Sequence, residues 1–179
     1  MRSLIYIERL LNRISDFWGW VASVLFILLV ANVVYDVVMR YVFNDVSIAF
    51  QELEWHLFAA VFLLGIPYTI KAGGHVRVDI IYERLSYKAQ AMVDVVGTLI
   101  FLLPFCLLVM YFGIDFAKES FELGEMSGDP GGLPHRWLIK SVISLSFFFM
   151  AVSGLGLLLH SVNKVVNPRL MHSDLHDSK

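Results

Sequence analysis

Cysteine and charged residues are both scarce in this 179-residue sequence. Its single cysteine, Cys106, excludes an intramolecular disulfide and any metal site built on paired cysteines. Charged residues make up 17% of the chain, against about 25% in a soluble domain. The net charge of -2 gives no basis for binding nucleic acid. The sequence also lacks a glycine-rich phosphate loop and a cluster of metal ligands, so we expect neither a catalytic site nor a cofactor.

Hydrophobic residues dominate what is present. They make up 58% of the chain, and the mean hydropathy is +0.68. Four apolar runs, with their few charges toward the ends, are long enough to cross a hydrocarbon core of roughly 30 Å as helices. We therefore predict an all-α membrane protein with four transmembrane helices within residues 16–162, and we expect the second to be the centre of the bundle. The predicted spans are residues 17–39, 52–71, 91–114 and 137–161.

The two ends of the sequence have a different character. On a helix, Arg2, Arg9 and Arg13 fall on one face while leucine and isoleucine fill the other, which predicts an interfacial amphipathic helix over residues 1–15. The apolar run that follows is too long for a cleaved secretory signal, so we expect it to be retained as a span. Residues 163–179 are predicted to form a polar cytoplasmic tail.

Five polar residues stand out in or beside the first two spans. Asn32, Asp36 and Arg40 recur every four residues and so form one stripe, while Glu52 and His56 share a face of the second span. A polar group that faces lipid is costly. Either the stripe packs against the front of the second span, or Asp36 and Arg40 lie at the level of the headgroups. We take these five residues as candidates for a subunit interface.

Acidic residues recur beyond the third span. Asp115, Glu119, Glu122 and Glu125 have a near-helical spacing, which predicts that the helix projects from the membrane with an acidic face. Residues 129–134, rich in glycine and proline, then break the helix. The simplest interpretation is a solvated, charged extension of the third span.

The distribution of basic residues predicts the orientation. With the N-terminus inside, the inner segments hold ten lysines and arginines and the outer segments hold four. Both termini are then cytoplasmic, and the acidic extension lies outside. Three spans instead of four would place the C-terminus outside. The ten inner residues are Arg2, Arg9, Arg13, Lys71, Arg77, Arg84, Lys88, Lys164, Arg169 and Lys179.

Histidines raise one alternative function, a haem-binding membrane anchor or assembly subunit of a respiratory complex. The candidate ligands are His56, His75 and His160. In the predicted topology, His56 and His160 lie at opposite ends of their helices, roughly 25 Å apart at ~1.5 Å per residue, whereas two axial ligands must flank one iron. An autonomous carrier is also disfavoured, because the sequence shows no internal repeat.

Five short stretches of the sequence carry a resemblance to a known family. They are Arg40 to Phe43, Gln51 to His56, Leu63 to Gly65, Gly73 to Asp79, and Gly131 to Trp137. Together they resemble the small membrane subunit of tripartite ATP-independent periplasmic (TRAP) transporters, the DctQ-like family. The likeness covers roughly residues 15 to 160 and is most specific between residues 40 and 79.

The resemblance implies a non-catalytic subunit of the bacterial inner membrane with two protein partners. A large permease subunit would hold the substrate and ion sites, and a periplasmic solute-binding protein would deliver an organic anion, typically a carboxylate. An ion gradient, usually of sodium, would drive uptake while the small subunit braces the permease scaffold. In that setting, Glu119, Glu122 and Glu125 become candidates for docking the binding protein.

Overall fold

Long helices make up the fold, and the computed structural model describes residues 2–74, 82 and 84–166. A π-helical segment, Thr98–Leu102, joins the helix Tyr87–Gly97 (α3) to the helix Leu103–Glu122 (α4), so that these three pieces form the third span. The described residues contain no strand. Four stretches are long and apolar enough to cross a membrane: Tyr6–Val42, Ile48–Lys71, Lys88–Glu122 and Trp137–Asn163. The helices are α1 (Arg2–Val42), α2 (Ile48–Lys71), α3 (Tyr87–Gly97), α4 (Leu103–Glu122) and α5 (Trp137–Val166). The prediction of an all-α protein with four spans is confirmed.

The first helix, α1, continues without a break through the predicted boundary between the amphipathic segment and the first span. Ser15 lies at that boundary, and its hydroxyl donates to the carbonyl of Leu11 at 3.2 Å within the helix. The same hydroxyl lies 2.7 Å from that of Ser153 in α5. No glycine or proline precedes Gly19, so nothing in the sequence interrupts the helix. The predicted helix over residues 1–15 is therefore the first part of α1.

Two other predicted boundaries shift for local reasons. The second span was expected from residue 52, but α2 begins at Ile48, after Ser47 in an extended conformation at the N-cap position. Its end at Lys71 agrees with the prediction. Residues 163–166 continue α5, while the rest of the predicted tail lies outside the described residues.

A proline inside α2 is accommodated by a contact with α5. Because Pro67 has no N–H, the carbonyl of Leu63 four residues earlier loses its helical partner. The hydroxyl of Ser146 in α5 donates to this carbonyl. Pro67 and Ser146 are both fully buried, so the bond lies inside the bundle. The neighbouring helix thus satisfies the group that the proline leaves free.

The third span changes its hydrogen bonding immediately before a proline. The backbone N–H of Leu103 donates to the carbonyl of Thr98, five residues earlier, as in a π-helix. Pro104 follows directly and cannot donate to a preceding carbonyl. Pro104 is therefore preceded by one widened turn of the helix.

The last span, α5, holds the bundle together. It packs against α1, α2 and the third span, whereas among the described residues the third span makes its extensive contacts only with α5. The expectation that the second span lies at the centre is wrong. The physical reason is that α5 carries small residues that allow close approach on several sides: Ser144, Ser146, Ser153, Gly154 and Gly156.

Candidate functional site at the ends of the helix bundle

Glu52 joins the start of α2 to the loop of residues 123–136, which connects α4 to α5. One oxygen of its carboxylate accepts a hydrogen bond from the hydroxyl of Ser127, and the other accepts from the backbone N–H of Leu133 at 2.6 Å. The N–H of Ser127 also donates to the carbonyl of Leu133 at 3.1 Å, which closes the loop on itself. Glu52 is only 8% exposed. One buried carboxylate therefore fixes the conformation of a distant loop.

Glycine makes this close approach possible. A Cβ atom on Gly132 would lie 2.9 Å from Oε2 of Glu52 and 2.4 Å from the side chain of Ser127. Gly131 has a φ of 85°, a conformation that favours glycine. The glycine pair was the available sequence signal for this contact, but a glycine pair does not identify the side chain that it approaches.

An aromatic and cationic surface lies beside Glu52. The guanidinium of Arg136 lies 5.6 Å from the centroid of the Trp55 ring, within the range of a cation–π interaction. The rings of Trp55 and His56 have centroids 3.9 Å apart. Nδ1 of His56 lies 2.6 Å from the carbonyl oxygen of Glu52 in its own helix. Trp55 and Arg136 remain partly accessible, so this surface can meet a partner.

Two residues of the predicted polar stripe of α1, Asn32 and Asp36, are buried inside the protein, while Arg40 is partly exposed. Nδ2 of Asn32 donates to the carbonyl of Phe50 at 3.0 Å, which ties α1 to the first turn of α2. Asp36 is 4% exposed and forms an ion pair with Arg40 one turn later. The stripe therefore touches the front of the second span through Asn32, while Glu52 bonds the loop. That these residues lie at a subunit interface stays a prediction.

The acidic series expected beyond the third span divides into two parts. Glu119 and Glu122 are exposed on α4, and Oε1 of Glu122 lies 3.7 Å from Nζ of Lys118. The helix ends at Glu122, and Gly124 follows with a φ of 59°. The N–H of Glu125 donates back to the carbonyl of Ser120 at 3.0 Å, as in a glycine-terminated helix. Glu125 therefore leaves the helical face that its spacing predicted.

Glu125 has a partner within the chain instead. Its carboxylate forms an ion pair with Lys140 in the first turns of α5. The Lys140 ammonium holds the pKa of Glu125 below its ordinary value of 4.5. Of the three candidates for docking a binding protein, Glu119 and Glu122 present their carboxylates to solvent, and Glu125 helps to hold the loop against α5.

The opposite end of the bundle carries a second set of polar contacts that the sequence did not reveal. Nδ1 of His160 lies 2.9 Å from Oε1 of Glu8, and Lys71 pairs with Asp16. These contacts connect α1 to α5 and to α2. His160 and His56 lie at opposite ends of the bundle, as the haem argument expected, whereas His75 lies outside the described residues. Within the described part of the chain, no group of three or more histidine, cysteine or acidic residues could hold a metal ion.

Comparison with known proteins adds two findings. The family described as "Tripartite ATP-independent periplasmic transporters, DctQ component" matches residues 29–164, from the last part of α1 to near the end of α5. The chain is also 25% identical over 142 residues to a protein of Haemophilus influenzae (strain 86-028NP) named "Sialic acid TRAP transporter permease protein SiaT". That alignment covers 78% of this chain and 22% of the relative, so the chain spans about a fifth of the relative's length.

Proposed function

Because the chain belongs to the DctQ component family of tripartite ATP-independent periplasmic transporters, we propose that it is the small membrane subunit of such a transporter. Membership of the family indicates a role in transport, and the four apolar helices make the chain a multi-pass membrane protein. In the proposed mechanism it braces a large permease subunit and catalyses no reaction. The family match over residues 29–164 is the observation that carries this proposal.

The interior of the bundle supports bracing over transport by this chain alone. Several of its buried polar groups form bonds between helices, such as the contact of Ser15 with Ser153 and that of Ser146 with the carbonyl of Leu63. Secondary carriers usually place substrate and ion sites at broken helices near the membrane midplane. The polar clusters around Glu52 and around Asp16 instead lie at the two ends of this bundle. A rigid bundle of this kind suits a static support.

The substrate class and the location belong to the same proposal. The transported molecule is an organic anion, of the carboxylate class, taken up with sodium ions that bind in the permease subunit. The relative's name refers to sialic acid, itself an organic acid, which supports this class. The chain lies in the bacterial inner membrane with both termini cytoplasmic, so that the loop of residues 123–136 faces the periplasm.

In this orientation, the exposed acids of α4 are the proposed docking site for a periplasmic solute-binding protein. Glu119 and Glu122 face solvent, whereas Glu125 is paired with Lys140. Replacing Glu119 and Glu122 with alanine should weaken the stimulation of uptake by the binding protein, while Glu125→Ala should act mainly on the loop. Normal stimulation in the double variant would remove this docking site from the proposal.

Co-purification tests the central proposal. The tagged chain should retain a large permease subunit in mild detergent when it is purified from the membranes of its source organism, and uptake into proteoliposomes should require both membrane proteins. A control omits the permease, and this chain alone should carry no solute. Transport by the chain alone, or a haem absorbance band with a respiratory complex as partner, would exclude the proposal.

A further inference from the structure

The backbone carbonyl of Leu99, in the π-helical segment of the third span, has lost its usual donors. An α-helix would give it the N–H of Leu103, and a π-helix would give it the N–H of residue 104. The N–H of Leu103 donates instead to the carbonyl of Thr98, and residue 104 is a proline without an N–H. Leu99 lies within the uncharged run of residues 95–114, at a depth where a bilayer offers no water. This carbonyl therefore needs a donor from another source.

The proline of α2 shows how the chain meets the same need from within. Ser146 of α5 donates to the carbonyl of Leu63, which Pro67 leaves free, and that contact is buried. No side chain of the described residues donates in this way to the carbonyl of Leu99. Leu99 is 49% exposed and Pro104 is exposed as well, so this part of the backbone faces away from α5. The described part of the chain leaves its donor to a neighbouring molecule.

A cleft beside this carbonyl is open to such a neighbour. It lies between α2 and the third span, which make no extensive contact with each other among the described residues, and α5 forms its floor. Its volume is about 1220 Å³. Phe62 of α2 and Phe101 and Phe105 of the third span line its walls, and each of the three is more than half exposed. A lipid acyl chain can fill apolar space of this kind, but its hydrocarbon has no group that donates to a carbonyl.

We propose that this face of the third span is the surface on which the permease subunit packs. One helix of the permease lies against Phe101 and Phe105, and at the depth of Leu99 it presents a side chain that donates to the free carbonyl, such as serine, threonine or asparagine. Its apolar side chains occupy the outer part of the cleft. The assignment rests on the proposed function and deepens it, because it identifies the helix face that contacts the braced subunit.

Restoring the missing N–H tests the bond. In Pro104→Ala, the new amide can donate within the third span, so the chain alone should be at least as stable as wild type, while the donor of the permease loses its acceptor. Retention of the permease by the tagged variant in mild detergent should fall about three- to tenfold, the range for one hydrogen bond between membrane helices. Pro67→Ala is the matched control, because the carbonyl that it concerns already has Ser146 as its donor, and it should leave retention unchanged.

Photo-cross-linking locates the contact even if Pro104→Ala does not fold. A benzophenone side chain in place of Phe101 should cross-link to the permease, whereas the same side chain in place of Phe26 of α1 should not. Phe26 is 54% exposed and lies near the middle of its span, but α1 makes no extensive contact with the third span among the described residues.

The outcomes separate this inference from the proposed function. Wild-type retention of the permease by a well-folded Pro104→Ala would overturn the inference. So would an adduct from position 101 with a second copy of this chain or with no protein, or equal cross-linking from position 26. Failure of the wild-type chain to retain any permease would instead overturn the proposed function itself.

Discussion

The bond from Ser146 to the carbonyl of Leu63 predicts a specific energetic coupling between α5 and the proline of α2. Ser146→Ala removes the donor and leaves a buried carbonyl without a partner, because Pro67 has no N–H. Hydrogen bonds between membrane helices average about 0.6 kcal/mol and reach about 1.7 kcal/mol. The site is fully buried and has no alternative helical donor, so we expect a loss near the upper end, about 1–1.5 kcal/mol.

Restoring the missing N–H should reduce that loss. In a Pro67→Ala background, the amide of residue 67 can donate to the Leu63 carbonyl, and Ser146→Ala should then cost less than half as much. Reversible unfolding of the four proteins of this double-mutant cycle in mixed micelles measures the coupling. Ser141→Ala is the control on the same helix, since its hydroxyl bonds only its own helix, and should change stability by less than about 0.5 kcal/mol. An equal cost of Ser146→Ala in both backgrounds would refute the reasoning.

Three further predictions follow from the polar clusters and from a close contact between α1 and α2. Glu52→Gln should speed amide hydrogen exchange in the loop of residues 123–136 by about tenfold or more, measured by mass spectrometry, because the loop loses a charged acceptor; unchanged exchange would contradict this. The pKa of Glu125 is lower in the folded state than in the unfolded state, so its pairing with Lys140 stabilises the fold fully above pH about 4.5 and is lost as the pH falls through the lowered pKa. The free energy of unfolding of Glu125→Gln should therefore depend less on pH in that window than that of the wild type. Parallel pH profiles of the two proteins would contradict this. Gly19→Ala would place a Cβ 2.7 Å from the ring of Tyr68, so it should lower the free energy of unfolding by about 1–3 kcal/mol. An unchanged melting temperature would argue against the close approach of α1 and α2.

The spans were predictable from sequence because each is a long apolar run, and the bilayer requires such runs to be helical. The polar stripe through Asn32 could also be predicted, since helical spacing places its residues on one face. The bonds from Glu52 to Ser127 and Leu133 could not be predicted, because these partners lie 75 and 81 residues away and local spacing carries no information about them.

Two further features required the three-dimensional structure. The departure of Glu125 from the acidic face depends on how Gly124 ends α4, and periodicity alone continues past such an end. The central position of α5 depends on which small residues meet which neighbours. The first, third and last spans are similarly apolar and the second is less so, and this ranking does not indicate that the last span lies in the middle.

The restriction of the third span's extensive contacts to α5 has a consequence for biogenesis. The chain is synthesised from its N-terminus, so α1 and α2 can pair while the third span still has only lipid beside it. Its docking must wait until residues beyond 137 have entered the bilayer. A nascent chain arrested before that point would contain α1 and α2 packed as a helical hairpin, and a third span that has no helix packed against it.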